Sequence, residues 1–190
     1  MLCAACCVLL YRTKHTAPCT LHYDLCMERP ARLWRELPVE KRLALADAFW
    51  RDERSQEIHA PRVEAIVLIA RRLNFRGKSV QALPTEKRAR YLAQMPEVGD
   101  VIATHALIAY HFRDQRELMS AFLDAVGIPH ESGLITAEDV KAPDRARVTA
   151  AIAKVRETFP VDDVEVYLKT LLAVDGETWK ELEGLLPLSR

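Results

Sequence analysis

From Pro38 onward, apolar residues recur at spacings of three and four in segment after segment, while alternation with a period of two is scarcely found. That pattern predicts helices throughout. The first is expected over about 38–52, with Val39, Leu43, Ala46 and Trp50 on one stripe and Leu45 and Phe49 widening it. Pro38 suits a first helical turn, and Glu40 places negative charge near the positive end of the helix dipole. A second helix, over about 61–74, carries Val63, Ile66, Val67, Ala70 and Leu73, and its all-apolar run 65–70 marks it as central. A third runs from about Pro84 and stops before Pro96, because proline disfavours the helical conformation in the residue before it.

A fourth helix, about 98–112, and a fifth, about 114–126, follow with almost no connection. The fifth has a legible end: Gly127 takes the left-handed cap position, Ile128 folds back onto Leu123, and Pro129 prevents continuation. Residues 127–143 form the longest irregular stretch, with a short turn opened by Thr136 and Asp139 three residues on. Then come helices over about 144–158, with Val148, Ala151, Ile152, Val155 and Phe159 in register, and about 161–174, with Val164, Leu168, Leu171 and Leu172. A last short helix over 177–186 docks the C-terminus through Trp179, Leu182 and Leu186. The expected fold class is all-α, an irregular bundle of about seven to eight helices.

One internal similarity stands out. Leu37-Pro38-Val39-Glu40-Lys41-Arg42 recurs 46 residues later as Leu83-Pro84-Thr85-Glu86-Lys87-Arg88, with a weaker echo in Phe159-Pro160-Val161-Asp162. The spacing lies in the range of two-helix solenoid repeats and lends the bundle a weak repeat character. Each copy is equally what any helix start with a proline and an early carboxylate looks like, and the residues downstream do not align, so the irregular bundle is the expected form.

Length and composition add limits. A chain of 190 residues, 49% hydrophobic and 28% charged, is long enough for one well-buried domain and excludes wholesale disorder, collagen-like repetition and a multi-span membrane protein. Twenty-seven basic residues cancel twenty-seven acidic ones, so no net field draws polyanions or membranes to the whole molecule.

All five cysteines, Cys3, Cys6, Cys7, Cys19 and Cys26, lie in the first 26 residues, together with His15 and His22. The apolar run 2–11 is too short to span a bilayer, and its positive charges, Arg12 and Lys14, follow it, unlike those of a secretory signal. The segment 1–26 is therefore read as upstream sequence ahead of a start at Met27 or as a disordered tail, with 27–190 the single helical domain. A metal site there lacks the paired C-x2-C arrangement of a ribbon or finger, and membrane attachment through acylated Cys3, Cys6 or Cys7 lacks an adjoining polybasic patch. A cysteine-free body fits a reducing, cytoplasmic setting with no membrane partner.

Dinucleotide, Walker, zinc-protease, esterase and EF-hand signatures are absent, and no Glu-x-x-His pair suggests a helical di-iron site. The identity of any cofactor is left unknown by these absences. On the fourth helix His105 falls on the apolar stripe Val98, Val101, Ile102, Ile108 and Phe112, as a core histidine held by a carbonyl or hydroxyl or as a metal ligand with His111. Asp100, Thr104 and His111 share another face with Asp114 just beyond, as an acid–base pair in a cleft or a solvated surface. In the loop 127–133, His130 could accept a proton beside Glu131 and Ser132, although an ordinary capped turn explains both glycines and Pro129.

Charge is segregated along the chain. Between 71 and 90 stand Arg71, Arg72, Arg76, Lys78, Lys87, Arg88 and Arg90 against Glu86 alone, with Phe75 and Tyr91 nearby. Residues 157–183 carry Glu157, Asp162, Asp163, Glu165, Asp175, Glu177, Glu181 and Glu183 against Lys169 and Lys180. The two strips can complement each other within one chain or between two. Trp34, Phe49 and Trp50 cluster about the first helix as core, and an exposed Trp50 would be an interface anchor. The leading expectation is a helical protein-interaction or scaffold module, self-association included. The alternatives are a small enzyme or metal- or ligand-binding bundle using Asp100, His105, His111 or His130 with Glu131, and a nucleic-acid binder through the strip 71–90.

Overall fold

In the computed structural model, which describes residues 29–53, 58–136 and 140–186, three helices start directly after a proline. Pro38, Pro84 and Pro160 are each the N-cap in extended conformation, and their carbonyls accept from Arg42, Arg88 and Val164 at 3.0, 3.1 and 3.1 Å. Proline locks its own φ and has no N–H to leave unsatisfied, so it marks a helix boundary at little cost. The fold is all-α. The described residues contain nine α-helices and one ribbon of two short strands, and none of these helices is long and apolar enough to cross a membrane. They divide into two compact units, 29–114 and 115–190. The cysteine segment lies outside the described residues.

The 29–114 unit comprises α1 (Pro30–Glu36), α2 (Val39–Arg51), α3 (His59–Leu73), α4 (Gly77–Gln81), α5 (Thr85–Ala93) and α6 (Asp100–Asp114). The helices α1 and α4 have 7 and 5 residues, too few turns for a hydrophobic stripe to show in the sequence. Their presence turns the six helices into two series of three, each a short helix, a Leu-Pro junction, a middle helix and a helix of 15 residues.

The packing follows the same duplication: α1 lies on α6 and α4 on α3, α2 on α6 and α5 on α3, while α2 packs on α5 and α3 on α6. Exchanging the two halves maps this set onto itself. Each half packs chiefly against the other, whereas solenoid repeats stack on their neighbours. The motif arginines share in it. Arg42, 8% exposed at the start of α2, donates to the Met95 carbonyl just past α5 at 3.2 Å, and Arg88 at the start of α5 lies 4.7 Å over the Trp50 ring near the end of α2.

The buried faces differ from those expected. Val39, Leu43, Val63, Val67 and Val101 are exposed, and the helices pack through Leu45, Ala46, Ala48 and Phe49 of α2, Ala65, Ile69 and Ala70 of α3, and Ile102, Ala103, Ala106, Leu107 and Ala109 of α6. Alanines let two helix axes approach closely, and the large side chains between them then close the seam. The helix α3 is accordingly covered on one face only, although its sequence run is apolar all round. Trp34, fully buried, donates from Nε1 to the Met95 carbonyl at 2.8 Å.

The 115–190 unit comprises α7 (Arg116–Val126), a ribbon of β1 (His130–Glu131) and β2 (Leu134–Ile135), α8 (Arg145–Thr158), α9 (Val161–Val174) and a 3-10 turn (Lys180–Leu182). Gly127 caps α7 at φ 76° and Ile128 N–H returns to the Leu123 carbonyl at 3.0 Å, as the Gly-Ile-Pro sequence implies. Asp144 caps α8 by accepting from Arg147 N–H at 2.9 Å. Phe122, Tyr167 and Trp179 meet in the core, with ring centroids 5.6 and 5.7 Å from Phe122. The expected turn opened by Thr136 needs Asp139, which lies outside the described residues, and the stretch expected to be irregular holds the ribbon instead.

Candidate functional site

The end of α3 is closed by Asn74 in the left-handed conformation at φ 53°, with Asn74 N–H bonded to Arg71 O and Phe75 N–H to Ala70 O at 2.8 Å. In this cap the second residue beyond the helix usually folds its side chain back onto the last turn. Phe75, which holds that position, is 47% exposed. Around it Arg71 and Arg72 project from the last turn of α3, Arg76 from the linker and Lys78 from α4, all exposed. Lys87 and Arg90 add two exposed cations on α5, which packs on α3. None of the six forms an ion pair with a described residue.

The other cations of this unit make a contrast. Asp47 bridges Arg51 at 2.9 Å and Arg113 at 2.6 Å, Arg51 continues to Glu86 at 2.5 Å, and Arg113 to Asp114 at 2.8 Å. Partial burial works to raise the Asp47 pKa, but the hydrogen bonds and charges of Arg51 and Arg113 outweigh it and hold the carboxyl below its ordinary value. Arg62 donates to the carbonyls of Phe49, Trp50 and Asp52 at 3.0, 3.0 and 2.5 Å, closing the C-terminus of α2 with a guanidinium. Burial lowers its pKa, with the charge of Asp52 opposing and that of Arg88 adding to the effect. Arg88 bonds Thr85 and covers Trp50, so it is half-buried and leaves the exposed strip. Trp50 is 6% exposed, against Phe49 on one side and Arg88 on another, and is core rather than an exposed anchor.

The histidine sites come apart. His111, expected on a solvated or cleft-lining face, is 2% exposed and packs edge-on to Tyr110, while His105, expected in the core, is half-buried. The reversal follows from the alanine face of α6, which turns Val101 outward and His111 inward. Asp100 accepts from Ala31 N–H at 3.0 Å and so serves the start of α1. Among the described residues no three His, Cys, Asp or Glu side chains converge as a metal site requires.

His130 belongs to the ribbon, whose two-residue turn, Ser132 at φ 50° and Gly133 at φ 84°, has the positive angles a tight hairpin demands. Its Nδ1 accepts from Gly133 N–H at 3.2 Å and its Nε2 lies 3.1 Å from Asp124 Oδ1. The Nε2–H tautomer satisfies both contacts, so both ring nitrogens are occupied by structure. The carboxylate beside His130 is thus Asp124, one α7 turn before the ribbon. Neighbouring strand residues point to opposite sides, and Glu131 is exposed.

No match was found to a family model, a curated protein or a solved structure. The reading of function therefore rests on the side chains alone.

Proposed function

We propose that the chain is a protein-interaction module whose 29–114 unit binds an acidic protein segment across the face of Arg71, Arg72, Arg76, Lys78, Lys87 and Arg90, with Phe75 as its apolar contact. The observation that carries this reading is the set of six exposed cations, without ion pairs to the described residues, on the helices and linker around an exposed Phe75. Long, mobile cations on a rim steer encounter and select partner charge, and an aromatic supplies the desolvated contact that charge alone does not. A nucleic acid would ask for several stacking platforms along a groove and a net positive field. Here the unit 29–114 has a positive balance of charge, but a single aromatic stands exposed in the strip. Enzymatic use of the histidines draws less support, since His105, His111 and His130 sit in separate surroundings and both nitrogens of His130 are already bonded.

The test is fluorescence anisotropy with two labelled probes, a glutamate-rich peptide containing a single leucine and a single-stranded oligonucleotide of equal charge. The peptide is expected to bind the more tightly, and the triple change R71E/R72E/R76E to weaken it by about a hundredfold or more, because like charges then face each other. Phe75→Ser should weaken the peptide without altering the salt slope. Preference for the oligonucleotide, or no binding of either probe, would overturn the reading.

A further inference from the structure

The two units carry opposite charge. Residues 29–114 hold sixteen Lys and Arg against eleven Asp and Glu, a net of +5, and residues 115–190 hold nine against fourteen, a net of −5. Residues 1–28 are balanced at two and two. The chain is therefore neutral at pH 7, with a sequence pI near 7.0, while each folded unit is strongly charged. Neutrality removes the overall repulsion that keeps like copies apart, and segregation leaves attraction between unlike units of different copies.

Resting on the function proposed above, we infer that the basic face is occupied by the 115–190 unit of a second copy, so that copies associate head to tail. The complementary charge is present on the 115–190 unit. Glu157 and Asp162 flank the turn between α8 and α9, Glu177 and Glu183 flank the 3-10 turn, and all four are exposed without an ion pair to a described residue. The 14 residues of α9 span about 20 Å, at 1.5 Å per residue, and lie in the chain between Glu157 on one side and Glu177 and Glu183 on the other, so these carboxylates extend over the unit. The basic face is extended in the same way, from Arg71 on α3 to Arg90 on α5. Broad surfaces of opposite sign attract over roughly a Debye length, about 10 Å at 0.1 M salt, and lose that attraction as salt rises. The contact is unlike on its two sides, so each copy has one half of it to give and one to receive.

Sedimentation equilibrium of the full chain tests this. At about 20 mM salt the weight-average mass should exceed the 21.6 kDa of one chain and grow with concentration, and at about 500 mM it should return to that value. The variants R71E/R72E/R76E and E157K/D162K/E177K/E183K should each sediment as single chains at low salt, and an equimolar mixture should associate again, because each supplies the charge the other has lost. The neutral set R71Q/R72Q/R76Q, at exposed positions, should also lose association and guards against a fault peculiar to charge reversal. A mass of one chain at both salt concentrations, association indifferent to salt, or no recovery in the mixture overturns the inference. If the wild type stays single yet still binds the acidic peptide through Arg71, Arg72 and Arg76, self-association falls and the proposed function stands; if it does neither, both fall.

Discussion

Gly133 and Gly127 form a matched pair from which the packing of the ribbon on α7 can be measured. Both are left-handed, at φ 84° and 76°. A Cβ at Gly127 would meet nothing within 4 Å, whereas one at Gly133 would stand 2.8 Å from Met119 Cβ, 3.4 Å from Met119 Cε and 3.5 Å from Arg116 O. Met119 Cβ is fixed to the backbone of α7 and cannot swing away. For alanine the left-handed conformation costs about 1–2 kcal/mol, and the lower entropy of its unfolded chain returns about 0.4–1 kcal/mol. Gly127→Ala should therefore cost about 0.5–1.5 kcal/mol. Gly133→Ala carries the same terms plus overpacking of about 1–3 kcal/mol, for a sum of about 1.5–4.5 kcal/mol.

Native-state hydrogen exchange reads both within the 115–190 unit, through amides of α7, α8 and α9. In the regime where exchange reports opening equilibria, Gly133→Ala should accelerate these amides by about 10- to 2,000-fold, and in every case about fivefold or more beyond Gly127→Ala, which should accelerate them by about tenfold or less, at 1.4 kcal/mol per decade. Equal acceleration by the two changes would show that the approach of Gly133 to Met119 does not hold the ribbon, and the packing argument would fail.

Arg62→Met keeps an apolar stem but leaves three carbonyls at the end of α2 without their charged donor; urea unfolding should show a loss of about 2–3 kcal/mol, with Arg62→Lys intermediate because it restores charge without the fork. The lowered pKa of Asp47 means that its stabilising effect is fully present above the unfolded value near 3.8 and is lost as pH falls through the folded value. Acid unfolding of the 29–114 unit should start at higher pH than that of Asp47→Asn relative to each protein's neutral stability, and a pH profile unchanged by the substitution would refute the bridge to Arg51 and Arg113. His130→Ala should cost about 1–2 kcal/mol in the 115–190 unit, and His130→Asn should recover part of it, since its Oδ1 can replace Nδ1 as the acceptor for Gly133 N–H; an Asn variant no better than Ala would deny that bond its importance.

What the sequence made legible divides along physical lines. Boundaries set by local backbone chemistry were readable: the prolines before α2, α5 and α9, the Gly127 cap with its Ile128 return bond, and the span 161–174 of α9 all stand where residue type requires them. Faces were harder. Counting large apolar residues as the inward side selects Val39, Leu43, Val63, Val67 and Val101, all exposed, because on α2, α3 and α6 the seam runs through alanines whose value lies in being small. The same rotation of α6 brought His111 into the core and left His105 half-buried, so the error in the candidate site followed directly from the error in the face. The cap at Asn74 was also missed, though a lone Asn after Arg71-Arg72-Leu73 and before a second basic run is the signal that could have found it.

The repeated Leu-Pro-x-Glu-Lys-Arg shows why a short motif can matter even where the residues after it diverge. The two copies are the fixed points of an interlocked pair, since each sets the start of a middle helix whose arginine reaches the far end of the other. Downstream residues are free to differ because they face different neighbours: α2 ends under Arg62, whereas the carbonyl of Met95 beyond α5 takes Arg42 and Trp34 together. The junction between the two halves, 74–76, is a stretch that the duplication does not use twice, and Phe75 and Arg76 stand there with Arg71, Arg72 and Lys78 on the flanking helices. The helices on both sides of that junction are packed, since α4 and α5 both lie on α3, while Phe75 and Arg76 are exposed. A binding face can be varied at such a place with little loss of core stability, which is a physical reason for proposing the binding function at 71–78 instead of at the histidines.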